Sequence, residues 1–299
     1  MQRTGFLYGV LAFVTWGLFP LYFQFIAHVP PLEVVLHRST WGLLFVLGVL
    51  AVQGRWAWLG QTLRQPRRLA LFTLSALLLT VNWLVYVMAV QSGHVVEAAL
   101  GYFINPLVNV LLGVLVLRER MRQLQWAAVA LAACGVLWLG WLLGRPPWIA
   151  LLLAGSFGFY GLIRKTAVLG ALEGLALENL LLAPIVLPAL LWWTLQRDGV
   201  LSHGLTPQLG WLLLAGPLTA LPLLWFAGAA RRLPLASLGM IQYLSPTLQL
   251  MLGVWVLHEA FDSRRLFGFV LIWSALALVS ADALGFRPRA PGRGVQGTS

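Results

Sequence analysis

The chain has 299 residues, 60% of them hydrophobic and 10% charged, with a formal net charge of +11. A soluble globule is about a quarter charged, so the composition excludes an ordinary soluble protein and makes lipid the solvent. The arginine excess does not call for a nucleic-acid partner, because most of it falls in polar breaks between long apolar runs, where it orients a membrane protein.

In chain order, apolar runs of roughly the 20 residues that cross a bilayer predict helices at 6–26, 32–52, 69–90, 95–117, 124–143, 147–163, 173–195, 208–229, 234–257 and 266–284. The first is long enough to span and lacks a small-residue cleavage pattern, so it reads as a retained helix. With a cytoplasmic amino terminus, the inner breaks hold Arg3, Arg55, Arg64, Arg67, Arg68, Arg118, Arg120, Arg122, Arg164, Lys165, Arg231, Arg232, Arg287, Arg289 and Arg293. Arg145, Arg197, Arg264 and Arg265 fall outside, and Arg38 lies within a span. The positive-inside rule then places both termini in the cytoplasm, at a bacterial-type inner membrane. The tail at 286–299 is rich in Gly, Pro and Arg and is expected to be disordered. A single cysteine, Cys134, excludes an intramolecular disulfide and a cysteine metal cage. No metal and no cofactor are expected.

Shifting the sequence by 140 positions aligns its halves without a gap. Pro106 falls on Pro246, Gly113 on Gly253, Leu117 on Leu257 and Glu119 on Glu259, while Glu33 meets Glu173, Tyr86 meets Phe226, Ala89 meets Ala229 and Phe103 meets Tyr243. A five-span unit occurs twice, as 1–145 and 146–285. Five is odd, so the second copy enters from the opposite side and the halves are related by a pseudo-two-fold axis in the membrane plane.

The fourth span carries Tyr102, Asn105 and Asn109, spaced three and four apart on one helical face. Their counterparts in the ninth span, Gln242, Ser245 and Gln249, are polar too. Polar side chains facing lipid are costly, so both stripes are expected to line a shared cavity. Pro106 and Pro246 each remove a backbone hydrogen bond and are expected to bend their helices near mid-depth. Asn82 and a set of aromatics, Trp16, Trp83, Tyr86, Tyr160, Trp225 and Tyr243, surround the stripes and suit a flat, partly apolar substrate.

Three charges fall inside spans. Arg38 lies about 9 Å in, within snorkelling reach of the outer headgroups, and reads as a cationic pole at the outer mouth. His37 beside it adds a group able to titrate near neutral pH. Glu178 takes the place of Arg38 in the second copy and, by inversion, lies about 9 Å from the other face. With a core about 30 Å thick, roughly 12 Å of depth separates the two, too far for a direct ion pair. Glu178 is the candidate for proton coupling. Glu119 and Glu259 end their spans at the rim and read as capping or loop-pairing residues.

Together, "GYFINPLVNVLLG", "QYLSPTLQLMLG", "HRSTW", "NWLVY" and "PLLWFAGAARRLPLASLGMIQY" resemble the RarD branch of the EamA family in the drug/metabolite transporter superfamily, over nearly the whole chain to about residue 284. The resemblance implies an all-α membrane protein of ten transmembrane helices in a five-plus-five inverted repeat. It also implies both termini cytoplasmic, a cavity lined by spans one to four and six to nine, and spans five and ten at the periphery. It further implies export of small metabolites or drugs, and the branch is named in connection with chloramphenicol sensitivity.

The function read from these features is a secondary transporter moving a small amphipathic metabolite or drug, such as an amino acid or a chloramphenicol-like compound, by alternating access with or without proton coupling. Its partners are that small molecule and membrane lipid, and small residues in spans five and ten allow a homodimer. No G-x-x-x-x-G-K-[ST] loop is present, so the chain carries no ATP-hydrolysing site of that kind. The rivals are an uncoupled facilitator or channel, a non-transporting scaffold, and a membrane-embedded lipid-modifying enzyme. The enzyme is disfavoured because Asp198, Asp262 and Asp282 are scattered, not gathered into a metal motif.

Overall fold

At hydrocarbon depth every backbone N–H and C=O has to bond within the protein, which a helix achieves segment by segment. A computed structural model describes residues 2–54, 56–91, 95–144, 146–196, 199–256 and 263–284. The predicted disordered tail, Arg55, Arg145, Arg197, Asp198, His258, Glu259 and Asp262 lie outside the described residues.

The helices are α1 (Gln2–Phe25), α2 (Pro31–Gln53), α3 (Ala57–Leu63), α4 (Pro66–Gln91), α5 (Val95–Leu115), α6 (Gln123–Leu142), α7 (Trp148–Thr166), α8 (Ala171–Leu195), α9 (Pro207–Ala230), α10 (Leu235–Gln242), α11 (Leu244–Trp255) and α12 (Ser263–Leu284). Among the described residues there is no strand. α3 is a short helix in the connection after the second span, absent from the sequence reading. α10 and α11 together form the ninth span, which makes ten. Six of these, α1, α2, α4, α6, α8 and α9, are long and apolar enough to cross a bilayer by length and composition alone.

Local chemistry sets several boundaries. α2 starts with Pro31 in its first turn and ends at Gly54, whose φ of 62° is the left-handed conformation that glycine adopts freely. α9 starts with the Thr206 side chain accepting from the Leu209 N–H at 3.2 Å. Pro246 has no N–H to offer the Gln242 carbonyl, and the ninth span is interrupted beside it, at Tyr243. α5 continues through Pro106 as one helix. The matched prolines therefore sit in different backbones.

Short connections make successive spans antiparallel, so the first five-span set starts on one face and the second on the other. We call the face where α1 starts the near face and the opposite one the far face. Inter-helix packing obeys the inversion. α1 packs on α9 as α7 packs on α4, α1 on α11 as α7 on α5, and α2 on α9 as α8 on α4. Three contacts map onto themselves and so straddle the pseudo-two-fold axis: α2 with α8, α5 with α10, and α6 with α12. The main core lies where α1, α2, α7, α9 and α10 meet, around Phe13, Tyr160, Phe226 and Leu238.

The α6 and α12 pair stands at the periphery, packing otherwise mainly on α5 and α10. Its backbones approach so closely that a Cβ on Gly135 would lie 2.7 Å from the Gly268 carbonyl oxygen. This corrects the homodimer argument, because the small residues of spans five and ten are used on each other within one chain. Gly135→Leu is expected to force the pair apart and cost about 1–3 kcal/mol, seen as a lowered thermal unfolding midpoint of the protein in detergent.

Candidate functional site

Two chambers open between the helices at mid-depth. The larger encloses about 700 Å³ of empty space, counting its open mouth. α1 gives it an aromatic wall of Phe13, Trp16, Phe19 and Phe23, with Pro20 among them. Facing that wall are Asn82, Trp83 and Tyr86 on α4, Tyr102 and Asn105 on α5, and Phe157 on α7. Gln242, Ser245, Pro246 and Gln249 of the ninth span and Leu223 of α9 complete it. Placed along their helices at 1.5 Å per residue, nearly all of these lie between the middle of the bundle and the far face.

Its polar groups are held by cross-helix bonds. The Asn82 amide donates to the Leu153 carbonyl at 2.8 Å and to Ser156 Oγ at 3.0 Å, tying α4 to α7. The Gln249 amide donates to the Trp16 carbonyl at 3.1 Å, tying α11 to α1. Tyr86 meets Tyr102 edge to face, ring centroids 5.8 Å apart. Asn105 is buried, and its Oδ1 has no partner among the described residues.

The smaller chamber, about 430 Å³ by the same measure, lies between α2, α4, α8 and α9. Its lining reproduces the repeat: Arg38, Ser39 and Gly42 face Glu178, Asn179 and Leu182, and Ala76, Leu79 and Thr80 face Gly216, Thr219 and Ala220. Each pair is 140 residues apart, so this chamber sits on the pseudo-two-fold axis. Leu223 lines both chambers. Arg38 joins them from the other side, its guanidinium stacked 3.9 Å from the centroid of a Trp83 ring.

Arg38 therefore does not snorkel to the outer mouth. It turns inward, and both it and Glu178 border one chamber, without a direct ion pair. Glu178 pairs instead with Arg164 at 3.5 Å and accepts from Ser75 Oγ at 2.6 Å, all three groups being buried. Arg164 also donates to the Ala171 carbonyl at 2.9 Å. The sequence reading had counted Arg164 among the basic residues of a connection. Its spacing of four from Tyr160, which puts both on one face of α7, was the available signal. The aromatic stripe of α1 was likewise legible in the spacing of Phe13, Trp16, Pro20 and Phe23 and was not used.

Other candidates lie outside both linings. His37 accepts at Nδ1 from the Trp41 indole at 2.9 Å, and its Nε2 lies 3.7 Å from Glu33 Oε1. An indole only donates, so the imidazole is neutral and carries its proton on Nε2. Glu33 in turn accepts from the Val200 N–H at 2.6 Å, which makes the set a brace for the far-face loop. Asn109 lies one layer below the larger chamber and donates to Gln242 Oε1 at 2.8 Å. Trp225 packs on the main core. Tyr243 is buried in the cluster shared with α6 and α12.

On the near face, Glu119 accepts from the Leu235 and Ala236 N–H groups at 2.8 and 3.1 Å, and Lys165 stands 3.4 Å from it. A carboxylate from the first copy thus caps the helix that begins the ninth span. Among the described residues no cluster of His, Cys, Asp and Glu is arranged to hold a metal.

The model of the EamA-like transporter family matches residues 3–141 and 146–281. An uncharacterized transporter of Pseudomonas aeruginosa is 47% identical over 284 residues, 94% of each chain. Protein RarD of Streptomyces exfoliatus is 47% identical over 288 residues, covering 95% of this chain and 90% of that protein. A solved crystal structure of 20% identity superposes with a TM-score of 0.68, covering 95% of this chain and all of the other, a likeness of fold.

Removing one member of a buried ion pair strands the other, at a cost of about 3–5 kcal/mol, whereas replacing both by apolar residues is close to neutral. Arg164→Met is thus expected to lower the unfolding midpoint in detergent strongly, and Arg164→Met combined with Glu178→Met to recover most of the loss.

Proposed function

Because the chain belongs to the EamA-like transporter family and spans the membrane several times, we propose that it is a secondary transporter that exports a small amphipathic metabolite or drug across the bacterial inner membrane by alternating access. The substrate stands in the larger chamber, against the aromatic wall of α1, with Asn105, Ser245 and Gln249 as its polar contacts. Amino acids and chloramphenicol-like compounds are the first candidates. The near face, with both termini, is the cytoplasmic side.

One observation carries the reading. Under the 140-residue offset, Asn109 corresponds to Gln249 and Gln242 to Tyr102. The pair Asn109 and Gln242 is hydrogen-bonded, whereas no hydrogen bond joins Gln249 and Tyr102, which stand in the chamber wall instead. The same contact is made toward one face and unmade toward the other, as expected of an inverted repeat caught in one of two exchangeable states. Gly239 supports the made side, where a Cβ would lie 2.7 Å from the Pro106 carbonyl oxygen. Forming the bond between Gln249 and Tyr102 while breaking the other would turn the chamber toward the near face.

Counterflow in proteoliposomes tests the function. Trans substrate is expected to stimulate uptake, and Asn105→Ala or Gln249→Ala to reduce it about tenfold, the scale of one lost polar contact. A pore would show no stimulation, and a scaffold no flux at all. Alternation is tested with single cysteines in a Cys134→Ala background: Gln249→Cys is expected to react readily with an impermeant maleimide, Asn109→Cys slowly, and Gln242→Ala to speed the latter. Equal rates at both positions throughout would sink the exchange. Glu178 is the proposed coupling site, so Glu178→Gln is expected to abolish stimulation by an imposed pH gradient while counterflow persists.

A further inference from the structure

The axial chamber has an unbalanced charge. Glu178 is neutralised by Arg164 and held by Ser75. Arg38 has no carboxylate within ion-pair distance among the described residues, and its buried Nε has no hydrogen-bond partner. Its one described contact of consequence is the face of Trp83, which offers no lone pair. A guanidinium carries five N–H donors in a rigid fork, and placing it at hydrocarbon depth with none of them bonded to protein is expensive. The fork matches a carboxylate, which takes two parallel bonds from it. The neighbouring hydroxyl of Ser39 and amide of Asn179 border the same chamber and can donate alongside.

We propose that the axial chamber is a binding site for the carboxylate of an organic monoanion, anchored by Arg38 and entering past Trp83 from the larger chamber. The assignment rests on the transporter reading and narrows it. One uncompensated positive charge calls for one negative charge, so a neutral drug-like molecule satisfies the site less well than a monocarboxylate. The order of the two chambers follows from Trp83, whose ring lines the larger one while its face carries the guanidinium of the smaller. An apolar body held against the aromatic wall can pass its charged end under that ring. Glu178 and Arg38 occupy equivalent positions in the two copies, and only the cation is free of a protein counter-ion.

The test uses benzoate, benzamide and benzamidinium, planar molecules of nearly one shape carrying negative, zero and positive charge, with binding measured by titration calorimetry on the full-length protein in detergent. Benzoate is expected to bind about tenfold or more tightly than benzamide, with benzamidinium weakest. Arg38→Gln is expected to erase the preference, and Arg38→Lys, which keeps the charge but not the fork, to retain part of it. The comparison among ligands on the unaltered protein holds even if a variant fails to fold. Benzamide or benzamidinium binding as tightly as benzoate, or no benzoate binding at all, overturns the carboxylate site and leaves counterflow to judge the transporter. Benzoate bound through Arg38 in a protein that shows no flux of any candidate overturns the transporter reading instead.

Discussion

A polar group withdrawn from water and left unpartnered costs several kilocalories per mole at hydrocarbon depth, more than any single apolar contact returns. The structure meets this constraint in three ways. Side-chain amides bond across helices, as Asn82 does to α7 and Gln249 to α1. Carboxylates sit on exposed backbone N–H groups at segment starts: Glu33 on Val200, Glu97 on Ile149, and Glu119 on Leu235 and Ala236. Arg164 and Glu178 neutralise each other. Among the lining residues, the polar atoms left over are informative by position. The unpartnered atoms of Asn105, Arg38 and Glu178 all belong to side chains that border a chamber.

The inverted repeat fixes where these groups can gather. Contacts that map onto themselves lie on the axis, and there each residue faces its own counterpart. A strictly symmetric pair in the axial chamber would set like charges against each other, which is unfavourable in a low-dielectric site. Divergence has instead put Arg38 opposite Glu178 and Trp83 opposite Leu223. The backbone keeps the two-fold relation while the chemistry breaks it, and a vectorial process needs that combination. Asn105 opposite Ser245 and a continuous α5 opposite an interrupted ninth span are further breaks of the same kind.

The spans and the polar stripes were legible in the sequence because period and offset encode them directly. Apolar runs mark the helices, and a matched polar triad on one helical face leaves few places for it to point. Resemblance to a family added the peripheral place of spans five and ten, which the contacts of α6 and α12 bear out. What stayed hidden depends on three-dimensional partners. Arg164 follows an apolar run and precedes Lys165, so it read as a connection residue. It became a buried counter-ion only because α8 folds back beside α7. His37 looked like a free titratable group, but Trp41, one turn on, and Glu33, one turn back, occupy both of its nitrogens. Trp225 and Tyr243 share the composition of the chamber aromatics and differ only in which side of their helix they leave, a rotation that pattern cannot fix at this precision.

The made and unmade halves of the polar stripe bear on how the protein moves between states. Interhelical hydrogen bonds in membranes are weak, roughly 0.6 kcal/mol in measured cases, because alternatives are always at hand in the disrupted state. The bond between Asn109 and Gln242 is therefore too small to lock a conformation by itself. The stronger tie on that face is Glu119, whose two oxygens hold the start of α10 and whose charge is shared with Lys165. A substrate that bonds to Gln249 and Asn105 competes with terms of about the same size as the stripe contact, so its binding energy is enough to shift the population between states. The carboxylate cap sets the threshold that such a ligand has to overcome. Selectivity in the chamber and readiness to open are in this way scaled to one another by the same scarcity of hydrogen-bond partners inside the bilayer.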